Sequence, residues 1–181
     1  MEIRKTLAED HGQLHDMWMA SEFIGVTSVE DSEKGFRRFL SRNPDTCFTA
    51  AEKNEVLGAI MSGHDGRVGH LYHLSVKEGH RGEGIGKALT EAALKALKDA
   101  GISRADLLMF RENPISGFWA SMGFRDREDL GYFDIQLNKD DKWLNRPDRF
   151  GGKLRITACP EGTGRCLQFL YFYQGPSSHC K

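Results

Sequence analysis

Cysteine is scarce: four in 181 residues, in no paired metal-binding spacing. That excludes a disulfide framework as the source of stability and predicts reduced thiols in a cytoplasmic setting. No apolar run approaches the roughly 20 residues a membrane-spanning helix needs, and the opening MEIRKTLAEDHG lacks the apolar core of a secretion signal. An excess of one charge is missing too. The net charge is −1, so nothing in the balance calls for nucleic acid or an anionic membrane as partner. What remains is a globular chain, 39% hydrophobic and 28% charged, long enough to bury a core.

Proline is thin over the first 137 residues, which hold two of the five. Residues 138–181 hold the other three, three of the four cysteines, and eight Lys/Arg against four Asp/Glu. That balance of +4 leaves −5 for residues 1–137. The shift near Lys139 predicts a core domain over 1–137 and an appended segment over 138–181. Within the segment, CLQFLYFY (166–173) carries no charge and is expected to pair with a sheet edge or bury in a homodimer contact. Cys159, Cys166, His179 and Cys180 match no standard zinc spacing, so no metal is expected.

Periodicity orders the core domain. EIRKTL (2–7) reads as a strand, and Glu9 to Ala20 as a helix burying Leu14, Met17 and Trp18. Ser28 with Asp31 resembles a capping box for a second helix that buries Phe36, Phe39 and Leu40 and stops before Asn43-Pro44-Asp45. Strands over 46–52 and 56–63 flank a Lys53-Asn54-Glu55 turn, and a longer strand spans 67–77. After Gly84 the period becomes helical, with Ile85, Leu89, Ala92, Ala93, Ala96 and Leu97 on one stripe and Gly101 as its end. A strand over 104–110, a short helix NPISGFWASM with Pro114 in its first turn, and two last strands in GFRDRED and GYFDIQL follow. The fold class is therefore α/β (α+β), a mixed sheet flanked by about four helices.

Glycine is not scarce, and it concentrates in GHRGEGIGKAL (79–89). A strand, a Gly-rich turn and a helix N-terminus together form an anion site. It is neither a Walker loop, since Gly-Lys-Ser/Thr is missing, nor a dinucleotide fingerprint, since no second βαβ half follows. Alone, Arg81-x-x-Gly84-x-Gly86 fits a plain helix cap as well as a phosphate cradle. Joined to HLSVKEGHRGEGIGKAL upstream and to Asn113 and FWASMGF (118–124) downstream, it resembles the GNAT superfamily of acetyl-CoA-dependent N-acetyltransferases.

The resemblance covers about residues 1–137 and implies a mostly antiparallel sheet of six to seven strands, with acetyl-CoA held between a splayed strand pair (70–76 and 104–110). It implies that backbone amides of Arg81, Gly82, Glu83, Gly84, Ile85, Gly86 and Lys87 wrap the CoA pyrophosphate. Leu74, Ser75 and Val76 would run beside the pantetheine arm, with Asn113 and Phe118 nearby. His70 matches a histidine used as base in the arylalkylamine N-acetyltransferase branch. Tyr72 shares a face with His70 and lines the cleft or binds a catalytic water, while Trp119 stands where many members carry a proton-donating Tyr.

The chemistry needs a base, because an amine of pKa about 10.4 is neutral in only about one molecule in a few thousand at pH 7. An imidazole is suited to the task, which makes His70 the first candidate. His73 falls on the other face unless a bulge intervenes, and Glu112 is a second-choice base. Indole cannot donate the proton a Tyr would, so Trp119 is a packing aromatic or part of the acyl pocket, and water or Tyr132 serves the leaving thiolate instead. His11, His15, His64, His80 and His179 read as surface positions. Glu22, Phe23 and Asp31 in one loop, with Glu128, Asp129, Tyr132 and Asp134 in another, would suit a cationic amine. The expected function is acetyl transfer from acetyl-CoA to a small-molecule or peptide amine. A non-catalytic acyl-CoA-binding module and a protein N-terminal or lysine acetyltransferase are the alternatives.

Overall fold

The computed structural model describes residues 1–145, and Met1–Asn145 form one compact unit. The 166–173 segment, Cys159, Cys166, His179 and Cys180 lie outside the described residues. The elements are β1 (Glu2–Lys5), α1 (His11–Met19), α2 (Glu33–Arg42), β2 (Phe48–Glu52), β3 (Glu55–His64), β4 (Gly69–Val76), α3 (Ile85–Asp99), β5 (Ala105–Leu107) and α4 (Ser116–Ser121). A single 3-10 turn over Ala8–Asp10 leads into α1. The strands form one sheet in the order β1-β2-β3-β4-β5, antiparallel except for the parallel β4–β5 pair.

Each face of the sheet buries its own cluster. Ile60, Leu71, Ile85, Leu89, Ala93, Leu97 and Trp119 pack on the α3 side. Leu14, Trp18, Val26, Phe36, Ala59 and Met61 pack on the α1–α2 side. Burying a Leu or Ile side chain is worth about 1.5–3 kcal/mol, which is why the stripe after Gly84 fixes α3 to the sheet. Gly101 (φ 82°) closes α3 as a C-terminal cap, with its N–H on Lys98 O and that of Ile102 on Leu97 O. Cys47 is buried and its thiol is pushed up to about 11, so it is an inert core residue.

Three expectations change. The α2 cap is Ser32, whose Oγ accepts from Gly35 N–H at 3.1 Å, and not Ser28. Ser28 is instead engaged with Asp141 and Lys142. Among the described residues the sheet has five strands, not six to seven: GFRDRED and GYFDIQL form none. Their charges pair locally (Arg127 with Asp129, Arg111 with Asp126), and adjacent Tyr132 and Phe133 give no single apolar face. Finally, β5 is three residues long and not seven, because only Gly69, His70 and Leu71 of β4 pair with it.

Candidate active site

The site is built around β4, whose sequence GHLYHLSV does not keep strict alternation. Met61 lies opposite Tyr72 and Ala59 opposite Ser75, so Ile60 alone faces two residues, His73 and Leu74. This is a β-bulge, and His73 takes the left-handed conformation in it (φ 49°). Such a backbone costs a non-glycine residue on the order of 1–3 kcal/mol, which surrounding contacts must offset.

The extra residue resets the parity. Tyr72 meets Phe39 edge-on at 5.7 Å, and His73 meets Trp18 edge-on at 4.7 Å, so both face the α1–α2 side. Leu74 and Val76 pack with the α3-side core. Ser75 is buried and its Oγ accepts from Trp18 Nε1–H at 3.2 Å. His73 is thus on the same face as Tyr72, the outcome that a bulge was needed to produce.

Residues 72–76 of β4 have no ladder partner on β5 among the described residues, so the two strands part there. Lys77 N–H donates to Leu57 O at 2.8 Å. By the alternation of an antiparallel ladder, the amide of Val76 then turns away from β3 toward the open edge. At the closed end of this splay, His70 Nδ1 and Asp106 Oδ1 are 2.6 Å apart.

From Val76 the chain enters the glycine turn. Gly82 and Gly84 have φ of 85° and 82°, and a Cβ on either would meet no protein atom within 4 Å. Gly84 is the α3 N-cap and its terminus has no side-chain cap, which leaves first-turn N–H groups aimed outward. Ile85 anchors the turn in the core, and a Cβ on Gly86 would touch Phe118 and Val76 at 3.8 Å. Arg81 and Lys87 are exposed: Arg81 Nε donates to Val76 O at 3.5 Å, and Lys87 lies 3.9 Å from Glu91. Glu83 pairs with His80 at 3.2 Å. A backbone cradle with open space beside it fits a pyrophosphate.

The downstream motif packs beside the turn. Asn113 Oδ1 accepts from Ile115 N–H at 3.3 Å at the start of α4; Pro114 precedes that helix. Trp119 is 8% exposed, stacked edge-to-face with Phe118 at 5.0 Å and Phe124 at 5.4 Å. It packs in the α3-side core cluster. Burial pushes the Tyr72 phenol up, with Asp106 and Tyr132 adding to the shift, so it stays protonated across the physiological range.

Asp31, expected as a capping-box partner of Ser28 and as acid lining for a cationic amine, is 9% exposed and reaches His73: Asp31 Oδ1 and His73 Nε2 are 2.8 Å apart. Its Oδ2 accepts from Thr27 N–H at 2.7 Å. His11 is not a plain surface residue either, since its Nε2 contacts Asp31 O at 2.9 Å. Glu22, Glu112, Glu128, Asp129, Tyr132 and Asp134 are exposed, and Asp129 is bound to Arg127. Two further partners were not anticipated: Asp106, which lies between unremarkable residues in ADLL, and residues 141–145, which grip the loop between α1 and α2.

The sequence profile of the Acetyltransferase (GNAT) family matches residues 11–124. Acetyltransferase SG1711 of Sodalis glossinidius (strain morsitans) is 32% identical over 113 residues, 62% of this chain and 78% of that protein. Among solved structures, Ard1 from Thermoplasma volcanium superposes with a TM-score of 0.59 at 17% identity, over 68% of this chain and 82% of that one. Rv2747 from Mycobacterium tuberculosis, in complex with CoA and NLQ, gives 0.57 at 18% identity, over 71% and 74% of the two chains. With its mixed sheet parted beside a glycine turn, and with this likeness over most of its length, the chain belongs to the GNAT acetyltransferase family and is an acyltransferase.

Proposed function

We propose that the chain transfers the acetyl group of acetyl-CoA to a primary amine, by direct attack within a ternary complex in the cytoplasm. The observation that carries this reading is the edge of β4 over 72–76, left open by β5 and running straight into the uncapped N-terminus of α3. The amides of Arg81 to Lys87 hold the pyrophosphate, and main chain at Leu74, Ser75 and Val76 lies along the pantetheine arm, flanked by Asn113 and Phe118. Acetyl-CoA supplies the activated acyl group.

The Val76 N–H faces the gap and is placed to meet an oxyanion, a contribution of about 3–4 kcal/mol where one such donor is removed from an enzyme. Tyr72, held protonated on the α1–α2 side, serves the leaving thiolate as donor. His70, tied to Asp106, holds water at the closed end of the splay. Trp119 supports the fold beneath them.

The test mixes the protein with acetyl-CoA and a panel of spermidine, phenylethylamine, glucosamine and a lysine peptide, and follows free thiol. Release with at least one amine above the blank supports the reading. CoA binding by calorimetry without release from any amine overturns it.

A further inference from the structure

Resting on the acetyltransferase reading, the geometry points to an Asp31–His73 dyad as the group that takes the proton from the acceptor amine, with His73 as the base and Asp31 as its positioning residue. His70 was the histidine expected in this role. It stands at the closed end of the splay, where β4 and β5 are still paired, with its Nδ1 on Asp106. His73 lies within the unpaired stretch of β4, two residues before Ser75 and three before Val76, whose amide faces the gap.

Four observations make His73 more than a strand histidine. The bulge carries it at φ 49°, a costly backbone for a β-carbon-bearing residue, and turns its ring to the α1–α2 side. Its Nε2 is committed to the Asp31 carboxylate at 2.8 Å. In the neutral ring Nε2 is then the N–H donor and Nδ1 the lone-pair acceptor, without a protein partner among the described residues. Its side chain is 21% exposed against 12% for Asp31, so the ring reaches solvent from one side while the carboxylate behind it is screened.

The support of the dyad is also built. Asp31 Oδ2 is held by Thr27 N–H at 2.7 Å, and the Asp31 carbonyl O by His11 Nε2 at 2.9 Å. The Trp18 and His73 rings meet edge-to-face with centroids 4.7 Å apart, and the same indole donates to Ser75 Oγ, tying the base to the strand that carries the oxyanion donor. Asp141 Oδ1 accepts from Val29 N–H at 2.9 Å, so the loop bearing Asp31 is fastened on both sides.

The proton balance is simple. The ammonium form of the amine gives one proton to Nδ1, and the imidazolium, steadied by Asp31, passes it to solvent. The freed lone pair forms the C–N bond to the thioester carbonyl carbon. The C–S bond breaks with its electron pair on sulfur; Tyr72 gives its proton to that thiolate and is restored by the second proton leaving nitrogen.

The test uses the full chain, acetyl-CoA, and whichever panel amine is accepted, alongside the trifluoromethyl analogue of that amine, which is largely neutral at the assay pH. For His73→Asn, which suits a left-handed backbone but cannot titrate, we expect kcat/KM on the ordinary amine to fall by about a hundredfold or more. On the fluorinated amine the loss should stay under about tenfold, because no base is needed to generate the free amine. Asp31→Asn should lower kcat more than it raises the amine KM. Histidine 15N NMR of the wild type without any ligand should show His73 as the Nε2–H tautomer, and Asp31→Asn should disturb it. Calorimetry with CoA checks that each variant keeps its cradle. Equal losses on both amines, full activity of His73→Asn, or a wild-type Nδ1–H tautomer overturns the dyad alone. Absence of thiol release by the wild type with every amine overturns the acetyltransferase reading beneath it.

Discussion

Gly25 lies against the edge of the Trp143 indole: a Cβ placed on it would sit 2.1 Å from Cζ3. This contact fastens residues 141–145 to the loop between α1 and α2. Thr27 and Trp143 form an antiparallel bridge, Leu144 N–H donates to Val26 O at 2.8 Å, and Ser28 N–H to Lys142 O at 2.8 Å. The grip comes from the start of the charge-shifted part of the sequence, so residues 141–145 pack against the core domain.

Gly25→Val should therefore push the indole off its seat. The expected outcome is a red-shifted Trp emission, a protease-sensitive 141–145 segment and a higher amine KM, with CoA affinity within about twofold of the wild type. An unchanged amine KM with the indole displaced would show that the grip does not shape the acceptor side.

Asn145 concentrates several of these bonds in one side chain. Its Nδ2 donates to Ile24 O at 2.7 Å and Trp18 O at 3.3 Å, and its Oδ1 accepts from Val26 N–H at 3.0 Å. Asn145→Ala leaves partly buried backbone groups unpaired, at about 1–3 kcal/mol. Calorimetric unfolding should record a Tm lower by several degrees.

At the other end of the site, Gly84 holds the left-handed conformation at the start of α3. Gly84→Ala places a methyl in the open space of the cradle and adds about 1–2 kcal/mol of backbone strain. Titration with CoA should show affinity weaker by tenfold or more, while far-UV circular dichroism stays close to the wild type.

Trp119→Phe separates packing from chemistry. A core aromatic replaced by a smaller one should lose stability and keep kcat within a few-fold, whereas Trp119→Ala should cost about 3–5 kcal/mol in urea unfolding. A large fall in kcat for the folded Phe variant would return Trp119 to the reaction.

The acid limb of stability should trace to Asp10. Burial pushes its carboxyl up, but the Arg4 guanidinium, the Leu7 N–H and the Thr49 hydroxyl outweigh that and hold it below the usual carboxylate range. The pairing with Arg4 is two-pronged, at 2.7 and 2.8 Å. A group with a depressed folded pKa contributes stability above its unfolded value, about 3.9, and loses it as pH falls through the folded one. Urea midpoints of Arg4→Ala should thus be lower than wild type at pH 7, with the gap narrowing below about pH 4.

The sequence by itself determined the parts of this protein whose physics is local. The 3.6 period after Gly84 made α3, Gly101 ended it, the Lys53-Asn54-Glu55 turn set the β2–β3 hairpin, and the glycines of 79–86 shaped the turn where strand meets helix. The tertiary structure decided what depends on distant chain. The bulge opposite Ile60 sets which way His73 faces, and a count of alternating residues is blind to one inserted position. The partner of His73 comes from 42 residues away, and that of His70 from 36. Trp119 occupies a place where a reacting side chain was conceivable, and packing between Phe118 and Phe124 gave it to the core. Periodicity records which face a residue prefers; only the assembled sheet records what stands across from it.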